Sequence, residues 1–271
     1  MITMKKIFVV FAIFLIANNC LSQNNEAEER IVSAFTGINV NSGINLYLTQ
    51  GDEHKVIVEA ESKYITDVNT RVRNGILYLS LEKMKLRINT SINVYVTVTW
   101  IESLDVSAGA DVYCNERLKL EKLTVNSSSG ADARIDIECR DLILQASSGS
   151  DIKAKGSTLN LTAKSSSGSG INAKELESIN ASLEASSGAD IKAKGSALNL
   201  TAKSSSGSDI NAKELEAINA FLEASSGSDI IAYVLGEIEA NASSGSDIVY
   251  YGDAIPKLLR QSSGGDIRKR Q

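Results

Sequence analysis

The tract Ser205-Ser206-Gly207-Ser208-Asp209-Ile210 recurs in close copies down most of the chain, its central glycine falling at positions 109, 130, 149, 168, 188, 207, 227, 245 and 264. Successive gaps are 21, 19, 19, 20, 19, 20, 18 and 19 residues. A period near twenty constrains the fold more than any other feature. Each repeat is too short to bury an apolar face alone and must stack on its neighbours, which makes a solenoid. A longer duplication lies on top, starting at Ala154 and again at Ala193. That offset of 39 residues equals one 19-residue and one 20-residue repeat, so the duplicated unit is a pair of turns.

Parity decides between helix and strand. Residues seven, five and three before each glycine are Leu142, Leu144, Ala146, then Leu161, Ala163, Ser165, then Leu200, Ala202, Ser204. The third and fifth after it are Ile152 and Ala154, Ile171 and Ala173, Ile191 and Ala193, Ile210 and Ala212. Alternation with period two is the pattern of strands with one face inward. The tract from Lys174, with Leu176, Ile179 and Leu183, leaves a short helical turn as an alternative, but about twenty residues per turn favour a β-rung. The expected fold is all-β, a parallel β-helix or β-solenoid with rungs of 19–20 residues and a strand-rich amino-terminal cap. The expected division is a signal peptide at 1–22, a cap at 23–100 and coils at 101–271. With strands stacking about 4.8 Å apart, the eight intervals from Gly109 to Gly264 give a rod of roughly 38 Å.

The recurring formula reads as a tight corner. Ser stands two before every central glycine, and only Ala, Ser or Gly flanks it. Small inward residues let the wall close, glycine permits the bend, and inward hydroxyls bond along the stack. Lys164, Glu184, Lys203 and Glu223, four before the glycine, alternate in sign from rung to rung and favour correct register.

Two after the glycine stand Asp111, Asp132, Asp151, Asp190, Asp209, Asp229, Asp247 and Asp266, with Gly170 the one break. Carboxylates about 4.8 Å apart repel one another. The local explanation is that turn amides or Ser hydroxyls bond to each Asp. The sharper one is that Asp151, Asp190, Asp209, Asp229 and Asp247 form a ligand-facing ladder for calcium or for a cationic or polyhydroxylated partner. Calcium is the weaker option, because the nonapeptide Gly-Gly-x-Gly-x-Asp pattern of calcium-binding β-rolls is missing.

At the amino terminus, Lys5 and Lys6 precede an apolar run from Ile7 to Ala17, too short to span a membrane, which reads as an export signal. Cleavage is expected after Ser22. Lipidation of Cys20 is the weaker alternative, since Asn18 and Asn19 occupy positions where small residues are expected. No later segment reaches the about 20 apolar residues of a spanning helix. A formal charge of −5 argues against nucleic acid. His54 is the single histidine, which excludes a site built on several imidazoles. Cys114 and Cys139 lie five and nine residues after their glycines, about 13 Å out of register along a strand, and are expected as buried free thiols.

Residues 31–100 lack the Ser-Ser-Gly motif but remain strand-rich. Asn74-Gly75, between alternating apolar residues, signals a hairpin, and Trp100 and Leu104 are expected to join this part to the coils. The tract from Phe35 with Gly43-Ile44-Asn45 inside it, the strand from Asn74, the transition from Leu104 and the close from Tyr250 together resemble the head GIN domain family of secreted bacterial proteins, which carries an auto-transporter adhesin label. The resemblance covers nearly the whole chain after the signal. It implies an exported β-solenoid from a Bacteroidota-like bacterium and brings no catalytic residues and no cofactor.

The leading functional reading is a non-enzymatic surface or periplasmic binding module whose ladders meet a polysaccharide, a cell surface or an extracellular protein, since repetition suits avidity. A purely structural spacer is the plain alternative. A carbohydrate-active β-helix lyase or hydrolase needs converging acids and bases in distinct environments, whereas the Asp positions here are alike from turn to turn. Ice binding would call for Thr rather than Ser rows.

Overall fold

In the computed structural model, which describes residues 25–82 and 91–271, strands occupy the segments whose apolar residues alternate. In chain order these are β1 (Asn25–Glu29), β2 (Gly37–Val40), β3 (Asn45–Gln50), β4 (Lys55–Glu61), β5 (Val68–Arg73), β6 (Ile76–Leu81), β7 (Asn93–Val98), β8 (Ser103–Val106), β9 (Asp111–Tyr113) and β10 (Leu118–Ser127). The long strands β11 (Asp132–Ala146), β12 (Asp151–Ser166), β13 (Gly170–Ser186), β14 (Asp190–Ser205) and β15 (Asp209–Ser225) follow. The chain closes with β16 (Asp229–Val234), β17 (Glu237–Ser243), β18 (Asp247–Tyr251), β19 (Ile255–Ser262) and β20 (Asp266–Lys269). The expected export segment lies outside the described residues.

Two parallel ladders run the length of a β-solenoid. One stacks β6, β2, β8, the ends of β10 to β15, β17 and β19. The other stacks β7, β3, β9, the starts of β11 to β15, β16, β18 and β20. Parallel stacking therefore reaches below residue 101, into β2 and β3. Antiparallel strands close the amino-terminal end: β4 lies on β7, β5 on β6 and β1 on β4. The Asn74-Gly75 hairpin forms as expected, with φ of 50° and 74°, the two-residue turn in which both central residues are left-handed.

Inward positions carry the core. Ile152, Ala154, Leu161 and Ala163 of β12 are buried, as are their counterparts Ile191, Ala193, Leu200 and Ala202 of β14. Each buried Leu or Ile contributes roughly 1.5–3 kcal/mol. Pairing it with Ala on the same wall keeps the coil thin. The tract from Lys174 forms no helix; it lies within β13. The twentieth residue of that rung is taken up by a bulge, Lys174 and Glu175 together facing Lys155, with Glu175 at φ 52°. The register of β15 shifts at the equivalent place.

At the corner, the glycine is not alone in the left-handed region. Ser206 stands at φ 57° and Gly207 at φ 66°, and the residue before the glycine is left-handed in every copy from Ala108 to Ser263. That conformation costs an L-residue about 1–2 kcal/mol. Stacking offsets the cost, since the glycine amide of each coil donates to the carbonyl of that residue one coil on, as Gly188 N to Ser206 O at 3.1 Å. The inward hydroxyls sit one after and three before the glycine, not two before. Ser228 Oγ accepts the amide of Ser225 (3.1 Å) and donates to Ser204 O of the preceding coil (2.8 Å). Ser150, Ser169 and Ser246 repeat the same two bonds.

Candidate ligand-binding rows

Stacking brings the predicted aspartates together. Asp111, Asp132, Asp151, Gly170, Asp190, Asp209, Asp229, Asp247 and Asp266 pair in one continuous register. Spacing is about 4.8 Å, and the side chains point outward. No Ser hydroxyl meets them among the described residues. Asp229 leans instead toward the next coil, its Oδ1 accepting the amide of Asp247 at 3.2 Å. At Gly170, the break in the row, Asp151 reaches into the space a side chain would take: a Cβ there would lie 2.5 Å from Asp151 Oδ1. Cations help at the second and last positions of the row, with Arg134 at 3.7 Å from Asp132 and Arg268 bonded to Asp266. Asp151, Asp190, Asp209, Asp229 and Asp247 have no ion pair among the described residues. Burial, and then the charges of Asp229 and Asp190, push the Asp209 carboxyl above its ordinary range.

The carboxylates run in a line and do not converge. Among the described residues, no group of three or more His, Cys, Asp or Glu is placed to hold a metal ion. Asp136 is the one buried carboxylate among them. Burial pushes it up, but bonds from Arg117 (2.7 Å) and Lys155 (3.2 Å) outweigh that and hold it below the usual range. It is an ionised anchor between coils. The two thiols are free and buried, and burial pushes Cys114 up to about 12.

Three further rows share this geometry. Lys164 bonds Glu184 at 2.7 Å and Lys203 bonds Glu223 at 3.0 Å, as the alternating signs predict. An asparagine row at the opposite corner is one that sequence reasoning missed. Asn160 donates to Asp141 (2.7 Å), Asn180 to Asn160 (2.9 Å), Asn199 to Asn180 (3.0 Å) and Asn219 to Asn199 (3.2 Å). Its signal was available, because each Asn follows a Leu or Ile at the repeat spacing. Those aliphatics, Leu159, Ile179, Leu198 and Ile218, form an outward apolar row, each 42–48 % exposed. Beside its first members runs an open groove of about 1100 Å³, with Trp100, Leu120, Leu159 and Ile179 among its lining residues. Trp100 thus faces solvent, while Leu104 alone is buried in the junction between the opening strands and the coils.

Stacked parallel coils with in-register side-chain rows and an antiparallel cap define a β-solenoid protein. A family model described as "Putative auto-transporter adhesin, head GIN domain" matches residues 34–191 and again 175–254, and the chain belongs to that family. Solved structures share the fold. One is a "putative adhesin" from Parabacteroides merdae, with a TM-score of 0.68 at 14% identity, covering 92% of this chain and 97% of that one. Another is a "Putative lipid binding protein" from Parabacteroides distasonis, with a TM-score of 0.67 at 17% identity over the same shares. A "putative adhesin" from P. distasonis gives a TM-score of 0.66 at 17% identity, covering 91% of this chain and 97% of that one. No curated protein matches the chain. Among the described residues no helix is long and apolar enough to cross a membrane.

Proposed function

We propose that this protein is an exported, non-enzymatic, adhesin-like binding module, and that the outward row Asp151, Asp190, Asp209, Asp229 and Asp247 meets hydroxyl-rich or cationic groups of a polysaccharide, cell surface or extracellular protein. The observation that carries the reading is the registered middle of that row, where no ion pair ties up the carboxylates among the described residues. Elsewhere on the coils facing charges are paired off directly, as Lys164 and Glu184 are. Identical groups at a fixed spacing multiply weak contacts into avidity. The family's adhesin description and the binding names of the neighbouring folds support it. Against hydrolase or lyase chemistry stand the linear, non-converging carboxylates and the ion-paired state of Asp136.

The test is binding of the purified protein to a glycan array and to bacterial and host cells, with and without calcium. The variant Asp209→Asn with Asp229→Asn is expected to keep the fold and to lose binding several-fold. Equal binding by the variant removes the aspartate row from the function. Binding that needs calcium makes the row a cation site.

A further inference from the structure

One row over from the aspartates, two residues along each coil, the charge changes sign. Tyr95, Tyr47, Tyr113, Arg134, Lys153, Asn172, Lys192 and Asn211 pair in one register. The tyrosines stack, with ring centroids 5.0 and 5.3 Å apart, and the Arg134 guanidinium covers the Tyr113 ring at 5.1 Å. Two residues further along the coils stand Lys155, Lys174, Lys194 and Lys213. Lys155 and Lys194 are ion-paired, to Asp136 and Glu214. Lys153, Lys174, Lys192 and Lys213 have no carboxylate partner among the described residues. Four of these cations, Arg134, Lys153, Lys155 and Lys174, line one cavity of about 280 Å³ together with Asn115 and Asn172.

Like charges facing each other on neighbouring strands are destabilising, and this chain avoids them at Lys164–Glu184 and Lys203–Glu223. Here it places Arg134, itself 3.7 Å from Asp132, directly against Lys153, which has no carboxylate partner among the described residues. We propose that this face binds a linear acidic polysaccharide, whose carboxylate or sulfate groups enter the Arg134–Lys153–Lys174 cavity and continue along Lys192 and Lys213. The proposal deepens the binding-module reading and rests on it.

Three features select the ligand. The cationic track is bordered on one side by the aspartate row and on the other by Glu177 and Glu216, which share a register with Ser196. Acid rows on both flanks repel a broad anionic surface such as a bilayer or a duplex, and they admit a thin single chain. Single-stranded nucleic acid gains affinity by stacking bases on open aromatic faces, but Tyr47 and Tyr113 spend theirs on each other and on Arg134. Along the axis, Lys153, Lys174, Lys192 and Lys213 set one cation without a carboxylate partner on each successive coil, with an axial rise of about 4.8 Å from one to the next. That rhythm fits a polymer that carries charge all along its length.

The experiment is calorimetric titration of the purified protein with hyaluronate, chondroitin sulfate, neutral dextran, poly(dT) and phosphatidylserine vesicles, each at two salt concentrations. The expected result is salt-sensitive binding of the acidic glycans and none of dextran. Lys153→Gln with Lys174→Gln is expected to weaken it tenfold or more without lowering the Tm, and Lys192→Gln with Lys213→Gln to weaken it less. Undiminished binding in both double variants, or a preference for poly(dT) or vesicles, overturns the proposal. Binding of neutral glycans or cells without acidic glycans overturns it while leaving the binding-module reading standing. No binding to any glycan or cell overturns both.

Discussion

Asp209 shows how a single residue carries the tension in this fold. Its carboxyl is raised by burial and by Asp229 and Asp190, so the folded chain holds its proton more tightly than the unfolded one does. The sign follows from linkage: the ionised group costs stability above its folded pKa, and the cost is relieved as pH falls through that value toward the ordinary 3.8. Asp209→Asn is therefore expected to raise stability at pH 7 by a few tenths of a kcal/mol, at most about 1 because the side chain is solvent-screened. The gain should shrink to nothing below the ordinary carboxylate range. Thermal unfolding from pH 3 to 7 measures it, and a variant less stable than the parent at pH 7 would make the carboxylate a structural acceptor. At this scale the row of Asp was legible in the spacing. The bonds it makes were not, since an amide of the following coil becomes a donor only once the coils are stacked.

At the scale of the element, the difference between 19- and 20-residue rungs is a bulge. Lys174 and Glu175 together oppose Lys155, while the coils on either side, β12 and β14, are shorter by that one residue. Deleting Glu175 is expected to straighten β13 onto its neighbours and to remove a left-handed Glu, leaving the Tm within a few degrees of the parent. Deleting Thr201 instead shifts parity within β14 and turns core residues outward, with loss of the cooperative transition. Circular dichroism melts of the two deletions distinguish a bulge from a register-bearing position. Strand periodicity was readable from Leu161 and Ala163 or Leu200 and Ala202. The helical spacing of Leu176, Ile179 and Leu183, an alternative to the favoured β-rung, arises because Ile179 is outward at the second corner, where two successive residues face solvent and parity resets.

For the whole molecule, stability is close to a sum of coils and of the interfaces between them. Removing residues 154–192 joins Lys153 to Ala193 and takes out one duplicated pair. The shortened chain is expected to fold, with Asp151 stacked directly against Asp209 and the rod shorter by about 10 Å. Small-angle scattering and a single thermal transition would show it. An expanded or aggregated product would mean that the coils are not interchangeable. Both ends matter here. The amino-terminal end is closed by antiparallel strands, whereas β19 is exposed along its whole length, blunted by Pro256 and by Lys257 and Arg260 in the way exposed edges are protected from pairing.

The period, the inward parity, the corner glycines and the rows at fixed spacing were determined by the sequence alone, because in a repeat each residue's neighbour above and below is its own counterpart. Only the tertiary structure decided what depends on the meeting of unlike segments. It placed β6 and β7 outside β2 and β3, exposed Trp100 over a groove, and set the tyrosines of the opening strands in line with Arg134 and Lys153 of the coils. Those contacts come from chain reversal and cross-coil alignment, which no local pattern of residues encodes.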